Sequence, residues 1–330
     1  MGKRPTIYDV AARAGVSKSL VSLVLQESPS VSTGRREAVH AAVEALGYTP
    51  SRLAAGLAGS RTRSIGVVID EFERLWFAPA LAGLRDVLAA ERYTLSISDA
   101  ALNSHLDLDP LEAFRALRVD GVVLAGEASP ESLARLGVPV VVLGTRGVEA
   151  TGITVVAGDE VAGGRLAVAH LVELGHTDIA CVSAPGALAA AREAGYVAGM
   201  RDRGLPVRIV RAAESSEAAA DAAVAELLDG AASDPRPTAV FAVSDPMALG
   251  VMGAAAARNL AVPGELSVLG YGDSPLAAYG LVSLTSVSGD ARRLGQAAGR
   301  ELLALLDGAH APTKTLLPPR LRPRRSTARC

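Results

Sequence analysis

Residues 6–25 read TIYDVAARAGVSKSLVSLVL, and the spacing inside this stretch decides how the rest of the chain is understood. Thr6 followed by Asp9 has the form of a capping box, with Asp in place of the usual Glu or Gln, so a helix starts after Thr6. Ile7, Val10 and Ala11 repeat at i, i+3 and i+4 and make one apolar stripe. Ala14-Gly15-Val16 then forms a tight turn, in which Gly15 is free to take a positive φ. Ser17 caps a second helix, KSLVSLVL, whose Leu20, Val21 and Val24 can pack back on the first. A third helix, from about Arg35 to Leu46, follows Val31-Ser32-Thr33 and stops at Gly47. Helix, short glycine turn and helix, with a third in support, describe a helix-turn-helix unit. About 45 residues is small for independent stability, so the unit should be tethered to, or paired through, something larger.

The remainder supplies that larger body. Short β-branched runs recur at 64–70, 93–98, 120–126, 139–144, 178–183, 238–243 and 266–270. Between most of them lie Ala/Leu-rich helical stretches such as PALAGLRDVLAA and PMALGVMGAAAARN. Strand–helix alternation predicts parallel sheets covered by helices on both faces. The body is longer than one such sheet usually needs, so two Rossmann-like subdomains are expected, with a ligand cleft at the carboxyl ends of their strands. The expected division is a helix-turn-helix domain over 1–49, a hinge over 50–63, and an effector-binding and dimerisation domain over 64–330.

Composition narrows the function classes. The 330 residues are 49% hydrophobic and 21% charged, with 33 Gly, 18 Pro and only 3% aromatics, a globular composition with an aliphatic core. No apolar run approaches the ~20 residues of a membrane helix, and the basic N-terminus is followed by no apolar signal segment. Cys181 and Cys330 make neither a metal set nor a disulfide framework, so a soluble, cytoplasmic protein without cofactor is expected. Charge is uneven: residues 1–64 hold nine basic and four acidic side chains, a net of +5, which leaves −7 on the rest of a chain of net −2. A basic head on an acidic body points to a polyanion-binding module.

Taken together, DVAxxAGVS, the VSxVL segment, the R-x-x-V of Arg36 to Val39, LGYxP at 46–50 and SRLAAGLAG at 51–59 closely resemble the N-terminal signature of the LacI/GalR family of bacterial transcription regulators. The body resembles that family's periplasmic-binding-protein-like core through DGVVLAG, PVVVLG, GDExAGGRLAVAHLxELGHxxIA, RPTAVFAVSDPMALG and VPGELSVLGYGDSPLA. The resemblance implies a dimeric, operator-binding regulator, most often a repressor, controlled by a sugar-like or other small metabolite. It implies that the second helix enters the major groove with Lys18 and Ser19 facing base edges, while Ser17, Ser22 and the backbone near Thr33 and Arg35 meet phosphates, with Thr6 also among the DNA-binding residues. Leu23 and Gln26 depart from the family's usual Arg and Asn. An arginine grips guanine O6 and N7 for ~1–3 kcal/mol of discrimination, which leucine cannot supply; alternatively Leu23 packs against its own domain. In the hinge, Leu57 matches the residue that wedges into the minor groove, with Ser51, Arg52 and Ala54 beside it, and Gly56 weakens the helix by ~1 kcal/mol relative to Ala.

The same resemblance implies effector contacts from Trp76, Phe77, Thr145, Arg192, Ser244, Gly272 and Asp273. Thr145, Ser244 and Gly272 stand where the family often has Asp, Asn and Asp, so three polar positions have shrunk or lost charge. Arg192 is the expected polar anchor. Enzyme readings are weak: the Gly272-Asp273-Ser274 triplet has no partner motif, and GxSxG, Walker A, complete GxGxxG and HExxH are all lacking. His176 invites a catalytic reading but matches a structural strand-entry motif. A free solute-binding protein would share the body yet has no use for the basic head. The C-terminus LPPRLRPRRSTARC carries no apolar heptads, so a dimer rather than a tethered tetramer is expected; its arginines are expected on a solvated tail, the alternative being nonspecific attraction to DNA.

Overall fold

The structure, a computed structural model, describes residues 5–25, 28–48, 61–69, 75–103, 109–125, 130–144, 152–230, 235–308 and 311–330. Its N-terminal unit holds α1 (Ile7–Ala14), α2 (Lys18–Leu25) and α3 (Thr33–Leu46). The capping box is formed: the Asp9 amide donates to Thr6 Oγ1 at 3.4 Å, and the Thr6 amide donates to Asp9 Oδ2 at 2.7 Å. Gly15 sits at φ 64° and donates its N–H to the carbonyls that end α1. Ser17 Oγ accepts from the Leu20 amide at 3.2 Å, which starts α2. Val10, Ala11, Val21, Val24, Val31, Val39 and Ala42 are buried together and hold the three helices as one unit.

In chain order the body's strands are β1 (Ser64–Ile69), β2 (Thr94–Asp99), β3 (Gly121–Ala125), β4 (Val140–Leu143), β5 (Thr154–Gly158) and β6 (Ile179–Ser183). They continue with β7 (Arg208–Arg211), β8 (Ala239–Ala242), β9 (Ser267–Tyr271), β10 (Thr285–Ser288), β11 (Lys314–Leu317) and β12 (Arg320–Arg322). They form two six-stranded sheets, ordered β11-β5-β4-β3-β1-β2 and β12-β10-β9-β8-β6-β7. Every pairing is parallel except the antiparallel β10–β12. The seven strands expected from β-branched runs are present; β5, β7, β10, β11 and β12 were not anticipated. The last two are edge strands with alternating exposure, and β10 (TSVS) is buried but half serine, so neither carries the apolar run that marks a central strand.

The chain passes between the two sheets after β5, after β10, and again from β11 to β12. Each crossing is followed by tight packing. The Ala291–Leu306 helix returns against Phe77–Leu88 at glycines: a Cβ on Gly295 would lie 1.9 Å from the Ala80 carbonyl oxygen, and one on Gly83 would lie 2.0 Å from that of Arg292. Glu160–Glu173 meets Ala187–Arg201 likewise, through Gly164 and Gly195.

The C-terminus corrects one expectation in part: Arg320, Arg322, Arg325 and Arg329 are exposed, but the segment that carries them is docked on the core. Arg324 donates to Asp273 Oδ1 at 2.5 Å and to the Leu284 carbonyl at 2.7 Å. Ser326 Oγ donates to the Val268 carbonyl at 2.6 Å while accepting from the Thr285 amide. The Cys330 amide donates to the Leu174 carbonyl. Sequence periodicity misses this because the segment is held by backbone and serine hydrogen bonds rather than by an apolar stripe.

Candidate nucleic-acid interface and effector site

On the N-terminal unit, Val21 and Val24 are buried against α1 and α3, which turns Lys18, Ser19 and Leu23 outward. Leu23 is 40% exposed, so it does not pack into its own domain. It stands one helical turn beyond Ser19 on the same face. Thr6, Ser17, Thr33 and Arg35 are also exposed, and Ser22 is half-buried. Tyr8, which sequence reasoning passed over, is 64% exposed on α1. The Lys18 ammonium lies 5.1 Å from its ring centroid and 3.5 Å from its hydroxyl. Tyr8 therefore pre-positions Lys18 by a cation–π contact, and the signal was available as an aromatic on the polar side of an amphipathic helix. Gln26, Ser51, Arg52, Ala54 and Leu57 lie outside the described residues.

In the body, the structure brings Arg192, Ser244, Gly272 and Asp273 together at the carboxyl ends of the second sheet. Arg192 reaches there from the helix after β6. Its Nε donates to Glu160 Oε2 at 2.8 Å, its Nη1 donates to the Val243 carbonyl at 2.8 Å, and its guanidinium stacks 3.8 Å from the centre of the Tyr271 ring. Burial disfavours the charge, but the Glu160 carboxylate and Tyr271 outweigh that and raise the pKa of Arg192 above its ordinary value. Nη2 has no partner among the described residues. Glu160 and Tyr271 were not identified from the sequence, since each is 32 or more positions from Arg192.

Ser244 Oγ accepts from the Met247 amide as the cap of the Asp245–Ala257 helix and shares a hydrogen bond with Ser215 Oγ at 3.0 Å. Asp245 is buried, and that burial raises its pKa against the opposing donors, the Ser286 hydroxyl and the Ser274 amide, each at 2.6 Å. Asp273 is turned toward the C-terminal segment, where Arg324 and Arg322 take its two oxygens. Gly272 occupies φ 127°, a conformation that side chains rarely adopt. Ser183 Oγ is buried at the same strand ends without a hydrogen-bond partner among the described residues, while Tyr271 Oη is packed against Gly163 of the Glu160–Glu173 helix. Trp76 and Phe77 sit on the first sheet's side, at the start of the helix after β1, with rings stacked at 4.3 Å. Thr145 lies outside the described residues.

His176 is buried, with Nδ1 2.9 Å from Thr238 Oγ1 and Nε2 within 3.1 Å of Ser267 Oγ and the Ala328 carbonyl. A carbonyl can only accept, so Nε2 carries the proton. The neighbouring Ser267 and Thr238 hydroxyls are themselves bonded to backbone groups, and Ser267 is buried with His176, so the histidine ties strands together. Among the described residues no group of three His, Cys, Asp or Glu could hold a metal, and no helix is long and apolar enough to cross a membrane.

Comparison with known proteins decides the family. Residues 6–51 match the bacterial regulatory proteins of the lacI family, and residues 168–327 match the periplasmic binding protein-like domain. Catabolite control protein A of Priestia megaterium is 33% identical over 98% of this chain and 99% of its own. The HTH-type transcriptional repressor PurR of Vibrio campbellii is 33% identical over 90% and 91%. The lac repressor dimer bound to operator and the anti-inducer ONPF superposes with a TM-score of 0.85 at 28% identity, covering 99% of this chain and all of that one. The chain belongs to the LacI family of bacterial transcription regulators.

As a LacI-family regulator it is a DNA-binding protein with a small-molecule effector, and the solute-binding alternative is set aside by the matched helix-turn-helix. The relatives are regulators rather than enzymes. The fold follows the family throughout, with a helical head on a two-sheet parallel α/β core.

Proposed function

We propose that this LacI-family protein is a cytoplasmic repressor without catalytic activity, which grips a palindromic operator as a homodimer and releases or holds it according to a small metabolite bound between its two sheets. The domains divide at 1–49, 50–63 and 64–330. Lys18, Ser19 and Leu23 read base edges; Thr6, Ser17, Ser22, Thr33 and Arg35 set the register on phosphates. Gln26 belongs to the same proposed DNA contact, and Leu57, with Ser51, Arg52 and Ala54, opens the minor groove at the centre of the site. The observation that carries this reading is the outward face of α2, with Lys18 held by Tyr8 and Leu23 exposed.

The effector site combines Trp76, backed by the buried Phe77, from one sheet with Arg192, Ser244 and Gly272 from the other; Asp273, held by Arg322 and Arg324, positions the loop beside them, and Thr145 belongs to the same proposed set. Arg192, already fixed by Glu160, Val243 and Tyr271, offers Nη2 to a ligand oxygen. The relative solved with operator and anti-inducer supports a ligand that acts by its differential affinity for the two states of the core. Trp76 is the single tryptophan, so its emission reports the site. Titration of the full chain with pooled sugars, purines and organic acids should change that emission saturably, and Arg192→Lys should abolish the change. A compound that shifts operator affinity while the emission stays constant would place the effector elsewhere.

A further inference from the structure

At the opposite end of the first sheet from the effector cleft, the structure holds a cavity of about 450 Å³, lined in part by Arg61, Arg115, Arg118, Phe114, Leu136 and Leu306. That volume is within the range of small-molecule sites. Its two sides differ in chemistry. Phe114 and Leu136 are buried in the apolar cluster beneath β1, β3 and β4 and give the cavity a hydrocarbon floor. The rim carries three guanidinium groups. Asp120, the lining carboxylate, is already saturated: its oxygens accept from the Thr62 amide at 2.7 Å, the Thr62 hydroxyl at 2.8 Å and the Arg63 amide at 2.8 Å. Asp120 keeps its negative charge in the lining, and Asp307 and Glu112 pair with Arg61 and Arg115, so Arg118 is the rim guanidinium most open to an added anion. Among the described residues Arg115 is paired with Glu112 alone, in an exposed i,i+3 contact at 3.3 Å that costs little to break. Arg118 makes no ion pair among the described residues.

We infer that this cavity is a second ligand site, distinct from the effector cleft, which takes a small amphipathic carboxylate with its apolar body on Phe114 and Leu136 and its oxygens on Arg118 and Arg115. A planar guanidinium matches a carboxylate in two parallel hydrogen bonds. The position gives the site a route to DNA affinity. Arg61 and Thr62 form its wall and are the first described residues after the hinge. Arg61 anchors that wall by donating to the Leu306 carbonyl at 2.6 Å and to Asp307 at 3.3 Å. A carboxylate held on Arg118 and Arg115 shares the cavity with Arg61 and Thr62 and so acts on the root of the hinge, and the coupling is reciprocal between this ligand and DNA.

The test uses 1-naphthoate as probe and neutral 1-naphthamide as its uncharged counterpart, titrated calorimetrically into the full chain. One saturable naphthoate site per chain is expected, with naphthamide at least tenfold weaker. Arg118→Gln and Arg115→Gln, each checked for native circular dichroism, should each weaken naphthoate about tenfold, the loss of one charge-assisted pair. Saturating naphthoate should also shift the operator titration of the native protein and not that of Arg118→Gln. Absence of saturable binding, or binding undiminished in both variants, would overturn the proposal. So would a loss of operator affinity in Arg118→Gln without naphthoate, which would assign this face to DNA phosphates.

Discussion

At the scale of single residues, what was legible in the sequence is what depends on near neighbours. The Thr6–Asp9 capping box and the Gly15 turn are decided within four positions, and both formed as read. The side chains that complete the sites were not legible, because their partners are brought in by the fold: Glu160 and Tyr271 enclose Arg192, and Tyr8 is placed beside Lys18 by the turn between two helices. Lys18→Ala should weaken operator binding by ~1–3 kcal/mol if it reads a base, with a smaller loss on nonspecific DNA. Measured across salt concentrations, an equal loss on both would make Lys18 a phosphate contact. His176 supplies a pH prediction. Burial lowers its pKa, partly offset by the Ala328 carbonyl, and burial lowers that of His170 as well. The unfolded chain therefore binds protons first as pH falls below about 6.5, and stability present above that value is lost on acidification. Thermal unfolding should show a midpoint that drops between about pH 7 and pH 5.5, with a shallower drop in His176→Asn.

At the scale of elements, apolar runs revealed the central strands and helical periodicity revealed the helix-turn-helix. Edge strands and the serine-rich β10 escaped because their stability comes from backbone pairing that composition does not record. The arginines of the C-terminus illustrate the same limit: they read as a solvated run, yet Arg324 and Arg322 close on Asp273, some fifty positions away. Glycines were equally ambiguous in sequence and are sharply divided by the structure. Gly295→Ala would drive a methyl into the Ala80 backbone, and the two helices cannot separate without losing their shared core. Its cost should be ~1–3 kcal/mol or more in urea unfolding. Gly253→Ala, with no heavy atom within 4 Å of the added Cβ, should instead stabilise by ~0.4–1 kcal/mol. Equal effects of the two would refute the close helix contact.

At the scale of the whole molecule, the charge asymmetry and the alternation of strands and helices described the two-part design before any coordinates. What they could not show is which surface would pair the two copies of the proposed dimer. Ile97 on the edge strand β2, Leu102 just beyond it, and Tyr279 and Leu281 on the second sheet's side leave large apolar surface exposed on one chain. Such side chains fit a surface that a second copy covers. Leu281→Glu should convert the dimer to monomer in sedimentation velocity and lower operator affinity with it, since each monomer then holds one half-site alone. A dimer that persists in this variant would move the interface elsewhere.

The central claim is that two outward α2 faces, coupled through one core, read a two-fold symmetric DNA site. Its most direct test is selection of bound fragments from a random DNA library by the purified full chain, in the absence and presence of pooled metabolites. The account predicts enrichment, in at least one of the two conditions, of a palindrome whose half-sites lie about one helical turn apart. An enriched site without two-fold symmetry, or no enrichment in either condition, would contradict it.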